Sequence, residues 1–365
     1  MTADCAIDAV NVGCYRFPTP TEESDGTLSW DATTAVTVEL TAGGTTGLGW
    51  TYSDPAAATL IEGKLAAMLR GHPFADISAA WTAMRAACRN LGTKGLTMQA
   101  ISAVDIAMWD LKARMLKVPL STVFGRVRER VPVYGSGGFT SESDSELAQS
   151  VEMWRAAGCR AMKIKIGRDG GRHEDWDLDR MAYFRKIAGP ATAVMVDANG
   201  AYTVGQARRV GLALDRLGGS WFEEPVTSDD DVGLAHLRGA LACDVTAGEY
   251  VSDSYDAARM AAAVDCLQLD ATRCGGYTGL LRGAAVAHAH NIDVSCHCAP
   301  ALHAPVAAAV PHLRHIEWFA DHMRLEPKLV DGAPLVSGGA IAPATGSVGH
   351  GMTLAETAAA FDVAR

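Results

Sequence analysis

Between residues 131 and 317 the chain runs through eight short apolar segments separated by helical ones, and from the second onward each segment closes on charged or hydrogen-bonding side chains. The segments are Val131 to Tyr134, Ala161 to Ile166, Ala193 to Asp197, Ser220 to Glu223, Asp244 to Ala247, Cys266 to Asp270, Ile292 to His297 and Arg314 to Glu317. Short apolar runs alternating with helices are the pattern of βαβ units, whose crossovers make neighbouring strands parallel. The helices carry their own punctuation. Ser143-x-x-Glu146 and Thr203-x-x-Gln206 read as capping boxes, and Gly158 and Gly218 stand where a helix turns out at its C-terminus. Eight parallel strands predict a TIM-type barrel; such barrels take roughly 250 residues on average, so the helices and loops here must be compact.

The polar closures are Lys163-Ile-Lys165, Asp197-Ala-Asn199, Glu223-Glu224-Pro225, Gly248-Glu249, Asp270, His297 and Glu317. The same 26-residue interval separates Asp197 from Glu223 and Glu223 from Glu249, so these carboxylates occupy equivalent points of successive units. In a barrel such points converge at the C-terminal mouth. Singly, each acid would read as a solvated strand end or a helix cap. Together they repel one another unless a cation lies between them, and an all-oxygen set favours Mg²⁺, or Mn²⁺, over zinc. Glu224 follows Glu223, should point to the other side of the strand, and is expected to be structural. Lys163 and Lys165 alternate with Met162, Ile164 and Ile166, so both face the barrel interior. Two adjacent ammonium groups beside a metal should lower at least one lysine pKa and make a base available; the same geometry would also serve ion pairs with the carboxylates. Asp270 and His297 end neighbouring strands, where the carboxylate can fix the imidazole tautomer and raise its basicity, making His297 a candidate general acid or base.

The flanks have a different grammar. The first 125 residues read as strands followed by helices, an α+β pattern. Thr33 to Leu40, the turn Thr41-Ala-Gly-Gly44 and Gly47 to Tyr52 make a hairpin. Helices then run from a Ser53 cap to Leu69, from Asp76 to Asn90, and from Leu96 to Leu116, where Val118-Pro119 stops them. The tail is rich in Gly and Pro, shows no further βα unit, and is expected to return to the first domain. The predicted organisation is a capping domain over 1–125, a barrel over 126–318 and a C-terminal segment over 319–365.

With 48% hydrophobic and 20% charged residues the chain is globular with a sizeable core. No run approaches about 18 uninterrupted apolar residues, and Asp4 and Asp8 stand where a signal peptide would be basic, so a cytoplasmic protein without a membrane partner is expected. The net charge of −10 repels nucleic acid and anionic lipid, which leaves a small molecule as the partner. Nine cysteines without a Cys-x-x-Cys pair read as reduced core thiols.

With these residues in place, the chain resembles the enolase superfamily, and within it the mandelate racemase subgroup of the mandelate racemase/muconate lactonizing enzyme family. The likeness runs the whole length: an α+β cap, a modified (β/α)7β-like barrel, and a C-terminal segment that completes the cap. Lys163 and Lys165, the triad Asp197, Glu223 and Glu249, the Asp270 and His297 dyad, and Glu317 fall where the subgroup places its own. The resemblance implies Mg²⁺-dependent abstraction of a proton α to a carboxylate, with the ion stabilising the enediolate and Glu317 hydrogen-bonding the developing charge. Lys165 is then the base on one face of the carbon, Lys163 lowers its pKa and contacts the carboxylate, and His297 stands on the other face. A sister subgroup, with muconate cycloisomerase and dipeptide epimerases, has a lysine at the end of strand six, where this chain has Asp270. Many members similar to this chain are acid-sugar dehydratases, in which protonated His297 would donate to a departing β-hydroxyl to give a 2-keto-3-deoxy acid; racemisation, epimerisation or cycloisomerisation would use the same residues. The substrate is expected to be a carboxylic acid, a sugar acid by this resemblance, with Asn199 and Ser136 as contacts, and the protein a homo-oligomer.

The barrel does not choose among these outcomes. A capping loop, Thr19-Pro-Thr-Glu-Glu-Ser-Asp-Gly26, is expected to cover the mouth, and its polarity suits hydroxyl groups better than an aromatic ring. Its Glu22, Glu23 and Asp25 disfavour a second substrate carboxylate, and so favour an aldonate over an aldarate, unless Lys94 or Arg89 reverses this. Cys296 and Cys298, near His288, His290 and His303, raise a zinc reading. On a strand, however, both alternate away from His297 and should lie opposite its face. Gly275-Gly276 and Gly338-Gly339 fit turns and form no phosphate loop. A degenerate barrel kept as an interaction protein would have lost part of the polar set, which here is complete.

Overall fold

The structure, a computed structural model, describes residues 5–363, so Asp4 lies outside the described residues. An antiparallel sheet opens the chain: β1 (Ala9–Ser24), β2 (Ser29–Ala42) and β3 (Thr45–Tyr52), in that order across the sheet. The segment Thr19 to Ser24, expected as a loop, extends β1, and only Asp25 to Leu28 turn the chain into β2. Pro18 and Pro20 hide this strand in the sequence. It is an edge strand, where a missing N–H need cost no ladder bond, and its register with β2 slips between Pro18 and Glu23. Against this sheet packs the helix Leu96–Leu116, most of it buried. The first helix of the chain starts at Ala56, where Asp54, and not the expected Ser53, accepts the first free N–H at 2.8 Å; Ser53 donates instead to Gln99 at 2.6 Å. Both expected capping boxes form, at Ser143 and Thr203.

Eight parallel strands follow: β4 (Val131–Gly137), β5 (Ala161–Lys165), β6 (Ala193–Asp197), β7 (Gly219–Glu223), β8 (Asp244–Ala247), β9 (Cys266–Leu269), β10 (Asp293–Cys296) and β11 (Leu313–Phe319). Strand β11 pairs in parallel with β4, which closes the barrel. The segment after β11, expected without a further unit, forms a helix at Ala320–Leu329. Beyond it a short hairpin, Val336–Ser337 with Ala340–Ile341, adds to the edge of β4. The end of the described chain lies on the cap sheet, with the Val363 amide donating to the Cys14 carbonyl at 2.9 Å and Phe361 stacked 4.5 Å from Phe17.

Register is what assembles the mouth. Lys165 pairs with Asp197, and Asp197 with Glu223, so three charged ends stand side by side on β5, β6 and β7. Beneath them Tyr134, Met195, Trp221 and Cys266 fill the barrel and keep water from the ligands' stems. Above them the β1–β2 turn presses directly on the barrel rim. A Cβ at Gly26 would lie 2.6 Å from the Ala198 carbonyl oxygen and 2.7 Å from that of Ile166, a contact only glycine permits. The Thr140 amide donates to the Ser24 carbonyl at 2.8 Å, and the Gly170 amide to that of Gly26 at 2.8 Å.

Candidate active site

Asp197, Glu223 and Glu249 are buried and offer carboxylate oxygens that all lie within 4.8 Å of one another. Glu223 is pinned on both oxygens: Lys163 Nζ donates to Oε1 at 2.5 Å and the Trp221 indole to Oε2 at 2.9 Å. Asp197 accepts from Lys165 Nζ at 2.5 Å and from the Asn199 amide at 2.9 Å. Glu249 Oε1 takes the Arg273 guanidinium at 2.8 Å, whereas its buried Oε2 has no hydrogen-bond partner. His297 Nε2 stands 3.4 Å from that oxygen without hydrogen-bond geometry. Burial drives the Glu223 carboxyl up, the Asp197 charge adds to it, and Lys163 only partly offsets both, which leaves it at about 7. An orphaned buried oxygen beside a carboxyl held partly protonated marks an oxygen cage short of positive charge. These residues fit a hard divalent cation.

Glu224 does not behave as strand alternation predicts, because β7 ends before it and its φ is +36°. Its buried carboxyl accepts from Ser228, and burial followed by the charges of Glu249 and Asp197 pushes it well above the carboxylate range.

The lysines lie side by side on β5, as expected, and form the ion pairs with carboxylates that the sequence also allowed, and their pKa values follow that pairing. Burial pulls the Lys163 ammonium down, and Glu223 and Glu317 outweigh it to raise it well above the usual lysine value; Lys165 is likewise raised by Asp197. The expectation of a lowered lysine pKa weighed the two ammonium groups against each other and a metal, while each in fact sits on a carboxylate. Only Lys165 reaches the cavity wall; Lys163 is fully enclosed.

His297 donates through Nδ1 to the ionised Asp270 carboxylate, at 2.9 Å from Oδ2, which leaves Nε2 facing the mouth. Burial alone would lower its pKa, but Glu249 and Asp270 raise it above the ordinary histidine value. Glu317 Oε1 accepts from Ser136 at 2.6 Å and lies 2.9 Å from Lys163 Nζ, while its Oε2 accepts from the Cys298 amide at 2.9 Å. Ser136, expected as a substrate contact, is fully buried and orients this carboxylate. Asn199 does line the cavity. Cys298 overturns its expected placement: β10 ends at Cys296, the backbone turns left-handed at Cys298 (φ +51°) and Ala299 (φ +41°), and the thiol swings to 3.3 Å from His297 Nε2. Cys296 stays in the core.

Cap and mouth enclose a cavity of ≈ 690 Å³ whose walls include Trp30 and Tyr52 from the cap and Lys165, Arg273, His297 and His322 from the barrel. His322 Nδ1 accepts the Ala299 amide at 2.8 Å, so its proton is on Nε2; burial pushes its pKa down to about 4 and keeps it a neutral donor. The acids expected to guard the mouth are largely occupied. Glu23 is buried against Arg324 at 2.5 Å and, chiefly through burial, sits at about 7; Asp25 Oδ1 accepts the amides of Thr27 and Leu28 at 2.7 and 2.8 Å. The expected counterweights are elsewhere: Lys94 pairs with Asp256 at 2.6 Å beside a separate cavity, and Arg89 is exposed. Arg273 and Trp221 were not expected. Trp221 could have been found, since period two places it on the face of Glu223.

Residues 9–125 match the N-terminal domain of the mandelate racemase / muconate lactonizing enzyme family, and residues 146–358 match the enolase C-terminal domain-like family. The 3,6-anhydro-alpha-L-galactonate cycloisomerase of Streptomyces coelicolor is 33% identical over 359 residues, 95% of this chain and 97% of that one. The L-talarate/galactarate dehydratase of Salmonella typhimurium is 30% identical over 80% of this chain and 75% of its own. Its structure liganded with Mg and L-lyxarohydroxamate superposes with a TM-score of 0.91 over 98% of this chain and 93% of that one, at 27% identity. A mandelate racemase/muconate lactonizing enzyme-like protein from Rubrobacter xylanophilus superposes with a TM-score of 0.95 at 42% identity, over 98% of this chain and all of that one. No helix among the described residues is long and apolar enough to cross a membrane. From the register of β5 to β7 to the domain matches at both ends, the chain belongs to the mandelate racemase / muconate lactonizing enzyme family, whose relatives here are sugar-acid dehydratases and cycloisomerases.

Proposed function

We propose that the protein abstracts the proton α to the carboxylate of a monocarboxylic sugar acid and expels the β-oxygen, giving a 2-keto-3-deoxy acid. The observation that carries this is that Lys165, on β5, and the Asp270-oriented His297, after β10, meet one cavity with β4 and β11 between them. Asp197, Glu223 and Glu249 are the residues to hold Mg²⁺, which when bound supplies Lewis-acid stabilisation of carboxylate charge. Lys165 is held as an ammonium by Asp197, so it acts as base once that carboxylate is engaged elsewhere. His297, its pKa raised by its acid neighbours, keeps a proton on Nε2 to give to the leaving oxygen. Glu317 is held well below the carboxylate range despite its burial, chiefly by Lys163, so it must take up a proton before it can donate to developing charge. Both cations on the cavity wall, Lys165 and Arg273, are already paired with carboxylates, while Thr34 offers a hydroxyl and those of Thr33 and Ser53, which donate to Asp321 and Gln99, can still accept. That wall suits an uncharged polyol or cyclic ether better than a second carboxylate, and the full-length likeness to an anhydro-galactonate cycloisomerase supports the same class.

The test is to incubate the protein and Mg²⁺ with aldonates, anhydro-aldonates and aldarates, scoring 2-keto acid and solvent deuterium at the α-carbon. Turnover of a monocarboxylate is expected, and His297→Asn should lose elimination by about 10²–10⁴-fold while retaining exchange through Lys165. Turnover confined to aldarates would refute the substrate class, and epimerisation without 2-keto acid would refute elimination.

A further inference from the structure

Beside the oxygen cage, the structure brings together a second set of ligands with different chemistry. Cys298 Sγ lies 3.3 Å from His297 Nε2 and 3.4 Å from Glu317 Oε2, and these last two are 3.8 Å apart. All three residues are buried. A tetrahedral zinc ion with bonds of about 2.0–2.3 Å separates its ligand atoms by about 3.3–3.6 Å, so the triangle closes around such an ion with shifts of a few tenths of an ångström. We propose that His297, Cys298 and Glu317 form a zinc site, distinct from the oxygen cage, and that zinc bound there shuts the enzyme down.

Two features support it. The donor set of nitrogen, sulfur and oxygen favours a softer ion than Mg²⁺, and three protein ligands leave a fourth position open. The ligands are already oriented from behind: Asp270 holds His297 Nδ1 at 2.9 Å, and Ser136 holds the far oxygen of Glu317 at 2.6 Å. On coordination the Cys298 thiol proton and the proton on His297 Nε2 both pass to solvent, with no redox change. An ion at this place removes Nε2 of His297 and an oxygen of Glu317 from the reaction, and it does not need the cage carboxylates of Asp197 and Glu223. The inhibition rests on the function proposed above; the binding does not.

Zinc is titrated by calorimetry into protein saturated with Mg²⁺, and Co²⁺ is added to the same preparation to look for the near-ultraviolet charge-transfer band of a cobalt–thiolate bond. Zinc should bind despite the magnesium. Cys298→Ser should weaken it by at least about 10–100-fold, the loss seen for ligands' outer-shell partners, and should erase the cobalt band, whereas Cys296→Ser should do neither. Zinc binding abolished by Mg²⁺, or a cobalt spectrum without a thiolate band, overturns the site. The spectrum of the unaltered protein decides this even if Cys298→Ser does not fold. With an active substrate, zinc in excess Mg²⁺ should suppress turnover, and this suppression should weaken in Cys298→Ser by the same factor as the binding. Zinc bound as described with no sugar acid turned over would refute the proposed function and leave the site standing.

Discussion

The barrel mouth and the cap face each other across one cavity, yet the side chains they present to it are fixed in different ways. At the mouth, both oxygens of Asp197, Glu223 and Glu317 accept hydrogen bonds, and the side chains stand on strands whose register fixes their spacing. On the cap side, Trp30 is half-buried and Leu28 exposed, on a hairpin whose ladder slips between Pro18 and Glu23. Reaction chemistry tolerates little displacement, since misplacing a reacting group by an ångström can cost about 10²-fold. Recognition of a hydroxylated chain tolerates more. Under the proposed function this assigns the choice of bond to the mouth and the choice of molecule to the cap.

The comparison breaks most easily at the mouth. Glu223→Gln removes a charge from the cage and leaves Lys163 with a neutral acceptor in place of its closest carboxylate. Mg²⁺ affinity measured by calorimetry should fall, and α-proton exchange should drop on the order of 10³-fold, the scale of losing an electrostatic contact in an enclosed site. Undiminished Mg²⁺ binding would remove Glu223 from the cage and with it the equivalence of the three strand ends.

A cap substitution should look different. Trp30 meets Phe139 edge-on at 5.4 Å and lines the cavity without touching Lys165 or His297 by any hydrogen bond. Trp30→Ala should raise KM by about tenfold, as expected for lost apolar contact with a bound chain, and leave kcat nearly unchanged. Steady-state kinetics on the best monocarboxylate would show it. A fall in kcat at unchanged KM would mean that the cap takes part in the chemical step.

What the sequence makes legible follows the same boundary. Asp197, Glu223 and Glu249 announce themselves because successive βα units of equal length repeat one strand-end position, and Lys163 and Lys165 do so because a strand has period two. These are local rules that the fold obeys. They fail where the element stops: alternation assigns Cys298 to the wrong side because the strand has ended and the backbone turns left-handed. They fail also where a charge is settled at long range, as for Glu23, whose partner Arg324 is 301 residues away in sequence. Strand β1 was missed because two prolines and a run of polar side chains look like a loop, and only its edge position makes them acceptable.

Where the two regions join, one buried acid should give the smallest effect on turnover and a measurable one on stability. Glu326 accepts from the Tyr52 hydroxyl of the cap and from the Ala301 amide of the barrel, all at 3.3 Å, and burial pushes its carboxyl up to about 8. In the unfolded chain the same group titrates near 4.5. Between these values the folded state binds the extra proton, so stability falls as pH rises from about 4.5 towards 8 and is flat beyond. Glu326→Gln deletes that dependence while keeping an acceptor for both partners. Thermal unfolding should therefore show wild type and variant close together at pH 5, with the variant gaining by up to a few kcal/mol at pH 8.5. A gap of equal size at both pH values would mean that Glu326 is ionised in the folded protein, and the cap would then rest on a buried charge instead of a neutral hydrogen-bonded acid.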